Sequence, residues 1–281
     1  MTQKRMPVSS PIVALVTGCS SGIGRATAVA LARAGFTVWA SARDVRSIGD
    51  LHDAGCHTID LDVTDEDSLV RAVTTITRVG GPIGILVNNA GYSQPGAIEE
   101  LELDAYRAQF ETNVLGLVRL CQLVLPGMRK AGGGTIVNLG SGAGLVTPPL
   151  SSAYAMSKYA LEALSDSLRF ETARFGIRTV LIEASAINTA FTGTLERALP
   201  AQSDDSPYRL VTQNVMRFAR NEGDSGIPPE RVADTIVKAV RSPRPRARYK
   251  VGSQARLAPF ARRALGDRLW DRLMARLVRA E

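Results

Sequence analysis

Seven short runs rich in Val, Ile and Leu punctuate the chain: IVALVT (12–17), TVWAS (37–41), HTIDL (57–61), ILVNN (85–89), TIVNL (135–139), RTVLIE (178–183) and RYKVG (248–252). Their apolar residues are mostly continuous rather than alternating, the pattern of strands covered by helices on both faces. Longer stretches of helical periodicity separate them. The expected fold class is therefore α/β, a single-domain Rossmann-type doubly wound parallel seven-stranded sheet with helices on both faces. Ligands of such sheets lie beyond the carboxyl ends of the strands, near the reversal of strand order, so functional residues should follow strands.

Between the runs, GIGRATAVALARAG reads as a helix closing on Gly35, and TDEDSLVRAVTTITRVGG as one opening at Thr64 with Asp67 three residues on. Phe191 to Pro229 is less regular and too long for a plain loop, which suits a lid or binding element. Residues 253–281 combine Ala261, Leu265, Leu269, Leu273 and Leu277 at intervals of four with Arg262, Arg268, Arg272, Arg276 and Arg279. This predicts a basic amphipathic helix with a break at Gly266.

Composition narrows the class. Of 281 residues, 45% are hydrophobic and 22% charged, values of an ordinary folded globular chain. The apolar start at Ile12 to Val16 is too short for a signal or spanning segment and reads as a buried first strand. Cys19, Cys56 and Cys121 lack paired spacing and, with His52 and His57, form no metal set, which fits a reducing, cytoplasmic setting. The net charge of +7 is concentrated in the tail, without aromatic-rich basic strands or helix-turn-helix spacing, so no nucleic-acid partner is expected.

Candidate chemistry begins at TGCSSGIG (17–24), between the first strand and the following helix. Glycines there let backbone N–H groups and a helix N-terminus face an anion: Gly18 for the turn, Gly22 for close approach, Gly24 for helix packing. The second strand ends in WASARD. A free ribose 2′-hydroxyl calls for a carboxylate near this point, yet the position holds Ala42, and Arg43 follows with a permanently charged fork suited to a 2′-phosphate. NADP(H) is thus expected over NAD(H). The competing reading is that Arg43 is simply a solvated loop residue, and Asp44 sits near enough to compete for it.

TGCSSGIG, NNAG (88–91) and Tyr154-x-x-x-Lys158 together resemble the short-chain dehydrogenase/reductase family, from about Ile12 to Gly252. Tyr154 and Lys158 fall on one face of a helix, where an ammonium near a phenol favours phenolate. Tyr154 would act as general acid in reduction and base in oxidation. The resemblance implies that Lys158 also holds the nicotinamide ribose, that Ser141 orients the substrate oxygen and that Asn113 completes a proton relay. It further implies Asp62 and Val63 beside the adenine, Asn89, Ala90 and Gly91 along the cofactor ribose, and Ile187 and Thr189 near the carboxamide. Ser20, Ser21 and Ile23 belong to the glycine loop, the two serines able to assist Arg43. On this basis residues 10–189 are the cofactor-binding and catalytic core, 190–229 a substrate lid, 230–252 a last helix and strand, and 253–281 the tail.

The sequence departs from the family pattern after the sixth strand, where Ala184 and Ser185 replace Pro-Gly, so the turn geometry there is open. The lid's Phe191, Leu195, Leu199, Tyr208, Leu210, Val215, Met216 and Phe218 suit a lipophilic substrate or ordinary packing. TGCSSGIG, WASAR and the long tail look most like the 17β-hydroxysteroid and retinol dehydrogenase branch, which implies steroid- or retinoid-like alcohols and ketones. A 3-oxoacyl thioester reductase and a non-catalytic NADP-sensing scaffold are the alternatives. The tail either closes the pocket, packs on a subunit of a homodimer or homotetramer, or touches an anionic membrane surface.

Overall fold

The computed structural model of the chain describes residues 11–189, 191–200 and 205–278. Residues 1–10, Ala190, Arg279 and the side chain of Leu277, which enter the expected boundaries and tail pattern, lie outside the described residues. All seven apolar runs form strands: β1 (Val13–Val16), β2 (Thr37–Ala42), β3 (His57–Asp60), β4 (Ile83–Asn88), β5 (Gly134–Leu139), β6 (Ile177–Ala184) and β7 (Arg248–Val251). They pair in parallel throughout, in the order β3-β2-β1-β4-β5-β6-β7. The order reverses between β1 and β4, which makes the ends of those two strands the ligand crevice.

Helices α1 (Gly22–Arg33) and α8 (Pro229–Arg241) cover one face; α2 (Glu66–Gly80), α4 (Gly116–Lys130) and α5 (Ser152–Thr172) cover the other. The two faces explain the uninterrupted apolar strands. In β1, Ala14 and Val16 enter the layer under α1 and α8, whereas Val13 and Leu15 enter the opposite one. Each layer excludes water from side chains whose burial supplies the dominant driving force for folding.

The cap of α2 is Asp65 rather than the expected Thr64. Asp65 Oδ1 accepts from the backbone of Asp67 and Ser68 at 2.9 and 3.1 Å, while the Thr64 hydroxyl is already donated to Asp62 at 2.8 Å. A second difference is the segment after β6. Instead of irregular chain it carries α6 (Phe191–Arg197) and α7 (Arg209–Asp224). The tail forms α9 (Ser253–Val278), broken at Gly266 with φ +65° as its sequence predicts.

Candidate active site

The glycine loop is built by close contacts that leave no room for side chains. A Cβ on Gly24 would lie 2.3 Å from the Gly18 carbonyl oxygen and 2.4 Å from Asn89 Nδ2. Gly18 and Gly22 hold φ of +72° and +57°, the left-handed region that favours glycine. A Cβ on Gly22 would meet the Thr189 methyl at 3.0 Å, so Thr189 forms the opposite rim of the loop. Ser21 leads into α1 with extended backbone and makes no side-chain cap, so the first amides of α1 keep no side-chain acceptor. With Ser20 and Ser21 exposed and Ile23 packed below, that helix end fits a phosphate group.

Asn89 has a structural task beside its expected one. Its amide donates to the carbonyl oxygens of Thr17 and Gly18 at 2.8 and 3.0 Å, tying β4 to the glycine loop. Thr17, absent from the expected site, completes the tie: its hydroxyl oxygen accepts from the backbone of Asn89 and Ala90, each at 3.0 Å. Its signal was a hydroxyl residue ending an apolar strand directly before the first glycine. Gly91 is exposed, and a Cβ there would sit 3.0 Å from Asn113 Oδ1.

At the end of β2, Arg43 is exposed and has no ion-pair partner among the described residues, because Asp44 is taken by Arg46 at 2.9 Å through two bonds. The expected competition from Asp44 is thereby removed. Asp62 Oδ1 accepts from Thr64, and its own N–H donates to Ser68 Oγ at 3.0 Å. Val63 is buried; its carbonyl would lie 2.2 Å from a Cβ on Gly116, which lets α4 start against the β3 end.

The proton-handling residues converge at the end of β5. Tyr154 and Lys158 rise from the first turns of α5, half-buried and buried respectively. Lys158 Nζ donates to the Leu139 carbonyl at 2.7 Å and stands 5.5 Å from the centre of the Tyr154 ring. Burial lowers its pKa to about 8. Burial also pushes the Tyr154 phenol upward, with the Ser141 hydroxyl pulling the other way. The expected phenol lowered by its lysine is therefore not what this structure shows, since the ammonium is spent on Leu139 and faces the ring. Ser141 opens the short turn Gly142–Gly144, where its Oγ accepts from Ala143 N at 3.1 Å. A Cβ on Gly144 would lie 2.8 Å from the Lys158 carbonyl oxygen, so this turn sets the distance between β5 and α5.

Asn113 lies in a π-helical segment, Glu111–Leu115, joining α3 (Leu103–Phe110) to α4. Its Nδ2 donates to Tyr92 O and Ser157 Oγ, both at 3.0 Å, and its Oδ1 accepts from Tyr92 N at 3.1 Å. The amide is thus fully engaged in joining the β4 loop to α5. Ser157, beneath Tyr154, is a second residue the sequence did not mark.

After β6, Ser185 replaces a glycine with a usable hydroxyl. Its Oγ accepts from Ala255 N at 2.9 Å and so caps the start of α9, while its N–H donates to Val251 O at 2.9 Å. Ile187 pairs with Ile227 in an isolated bridge that steadies the turn without proline. Farther out, Phe191 of α6 brings its ring centre to 6.0 Å from that of Tyr154.

A parallel sheet reversed at β1 and β4, a glycine loop over a helix end, and a tyrosine-lysine pair on the neighbouring helix define a nucleotide-dependent oxidoreductase. The short chain dehydrogenase family profile matches residues 12–199, and the chain belongs to that family. It is 36% identical to the uncharacterized oxidoreductase YusZ of Bacillus subtilis, covering 93% of this chain and 96% of that protein. It is 35% identical to human 17-beta-hydroxysteroid dehydrogenase type 1, covering 91% of this chain and 81% of that protein. Among solved structures, a short-chain dehydrogenase from Streptomyces avermitilis superposes with a TM-score of 0.77 at 32% identity, covering 94% of this chain and 97% of that one.

Proposed function

We propose that the protein is an NADP(H)-dependent oxidoreductase interconverting an alcohol and its ketone or aldehyde on a lipophilic substrate. The observation that carries this reading is Tyr154 beside Ser141 with the buried Lys158 ammonium facing its ring, at the same carboxyl end of the sheet as the glycine loop. The nicotinamide, when bound, supplies or accepts the hydride.

The chain's own groups divide the remaining work. A phenol pushed upward by burial keeps its proton at neutral pH, so Tyr154 is ready to protonate the oxygen of a carbonyl being reduced. Ser141 holds that same oxygen. Lys158, a cation below about 8, would stabilise the phenolate left behind and would hold the nicotinamide ribose when the cofactor is bound. Asn113 holds the Tyr92 backbone and Ser157, so its amide acts by positioning.

The amides of Gly22, Ile23 and Gly24, the exposed hydroxyls of Ser20 and Ser21, and Gly18 would hold the cofactor phosphates. Asp62 and Val63 would flank the adenine; Asn89, Ala90 and Gly91 the ribose; Ile187 and Thr189 the carboxamide. The exposed guanidinium of Arg43, without an ion-pair partner among the described residues, supports a 2′-phosphate and hence NADP(H).

Phe191 near Tyr154 supports a lipophilic substrate, as does the activity named for the human hydroxysteroid dehydrogenase. Exposed Leu115 on the π segment and Met156, Tyr159 and Phe170 on α5 support a homodimer or homotetramer. Three buried free cysteines support a reducing, cytoplasmic setting, and no described helix is long and apolar enough to cross a membrane. The test is NADPH and NADH oxidation by the purified protein against steroid, retinoid and acyl ketone panels, with product alcohols identified. Turnover on lipophilic ketones with NADPH is expected; turnover restricted to carrier-bound 3-oxoacyl thioesters would redirect the substrate reading.

A further inference from the structure

Helix α9 does not behave as a closing helix whose apolar side is spent on the protein. Among its described residues, Ala255 and Trp270 are the buried ones. Leu257, Phe260, Leu265, Leu269 and Leu273 stand 64, 73, 40, 49 and 42% exposed. Leu257 and Phe260 lie one turn apart before the break at Gly266, Leu265 stands directly at the break, and Leu269 and Leu273 lie one turn apart after it. Large apolar side chains left in water at such density on one element mark an interaction surface.

The charges around them indicate what that surface meets. Arg256, Arg263, Arg268, Arg272 and Arg276 are exposed along the same helix, against two acids, Asp267 and Asp271; Arg262 reaches Asp267 at 3.6 Å. Arginine stems can lie along apolar surface while their guanidinium groups reach outward to anionic headgroups. A second copy of the chain would bring the same arginines against these, with like-charge repulsion. An anionic lipid surface answers both features at once: an acyl boundary for the leucines and phenylalanine, and negative headgroups for the arginines.

We propose that α9 is an interfacial docking element that seats the protein on an anionic lipid bilayer, lying in the headgroup boundary without crossing it. The helix packs against α7 of the lid and against the Gly142–Gly144 turn beside Ser141, and Ser185 caps its start. Docking there brings α7 and the Ser141 turn close to the lipid, and their use in delivering a substrate from it rests on the proposed lipophilic substrate, whereas the docking itself does not.

The full-length protein is floated with phosphatidylcholine vesicles and with phosphatidylcholine–phosphatidylglycerol vesicles, at low and high salt. Two double variants accompany it, L257S/F260S and R263Q/R272Q, all in exposed positions, with circular dichroism verifying the fold. The wild type is expected to float with the anionic vesicles, bound at least roughly tenfold more than with the neutral ones, and to be released by salt. Each double variant is expected to lower that binding by roughly tenfold or more. Turnover of a small water-soluble ketone by the variants should match the wild type, so a failure of docking is told apart from a failure of the catalytic reading. Absence of wild-type flotation, equal flotation of the variants, or loss of a wild-type oligomer in L257S/F260S without any vesicle binding each overturns the proposal, the last by assigning the face to a second copy.

Discussion

Replacing Lys158 with Met separates the cost of burying a cation from the use made of it. Lys158 is 8% exposed, bonded to Leu139 O at 2.7 Å, and lowered by burial from 10.5 to about 8. A depression of that size corresponds to about 3 kcal/mol of instability at neutral pH. Met removes this penalty but takes away the Lys158 donor from the buried Leu139 carbonyl, at a cost of about 1–3 kcal/mol. Lys158→Met should therefore be as stable as the wild type or up to about 2 kcal/mol more stable, yet lose NADPH-dependent carbonyl reduction. The linkage has a definite sign. Below about 8 both folded and unfolded Lys158 are protonated and the penalty is fully present; as pH rises from there to 10.5 only the unfolded chain keeps the proton, and stability rises. The variant should lack this rise. Urea unfolding at neutral pH and within that window, beside steady-state reduction rates, reads both quantities. A variant that loses several kcal/mol, with activity falling only in step with its folded fraction, would refute the reasoning and make Lys158 a structural residue.

Two further outcomes follow from the cofactor loop. Gly24→Ala drives a Cβ into the Gly18 carbonyl at 2.3 Å, a backbone clash that cannot be relieved by a rotamer, so it should lose about 1–3 kcal/mol of stability and bind NADPH weakly in a fluorescence titration. Wild-type affinity in that variant would contradict the loop geometry. Arg43→Ala removes an exposed guanidinium that Asp44, held by Arg46, leaves available, so KM for NADPH should rise roughly tenfold to a hundredfold while KM for NADH stays level, as the loss of one charge-assisted contact requires. An unchanged coenzyme ratio would set aside the NADP(H) preference.

The strand pattern of the sequence carried most of the fold because a doubly covered sheet leaves an unmistakable trace: Val13 to Val16 are all buried, alternately into opposite layers. Boundaries set by competition between neighbours were less legible. Thr64 and Asp65 both suit a helix cap, and the choice depends on Asp62 engaging the Thr64 hydroxyl, a contact with no one-residue signature. In the site, Gly18, Gly22 and Gly24 were readable because close approach demands glycine. Thr17 and Ser157 were not, because a lone hydroxyl at a strand end or in a helix acquires meaning only from the backbone groups brought to it across long sequence separations. The Tyr154–Lys158 spacing gave proximity correctly, but not the direction of the ammonium, which the Leu139 carbonyl decides. The tail's period of four predicted a helix and its break; which of its faces would be covered depended on packing with α7, and the exposed leucines emerge only from that packing.

If Tyr154 transfers the substrate proton, single-turnover reduction of a ketone substrate by Tyr154→Phe, with NADPH affinity measured on the same preparation, will show it. Cofactor binding close to wild type with the rate lowered by roughly a hundredfold or more is the expected result; a rate within a few-fold of wild type would contradict the assignment.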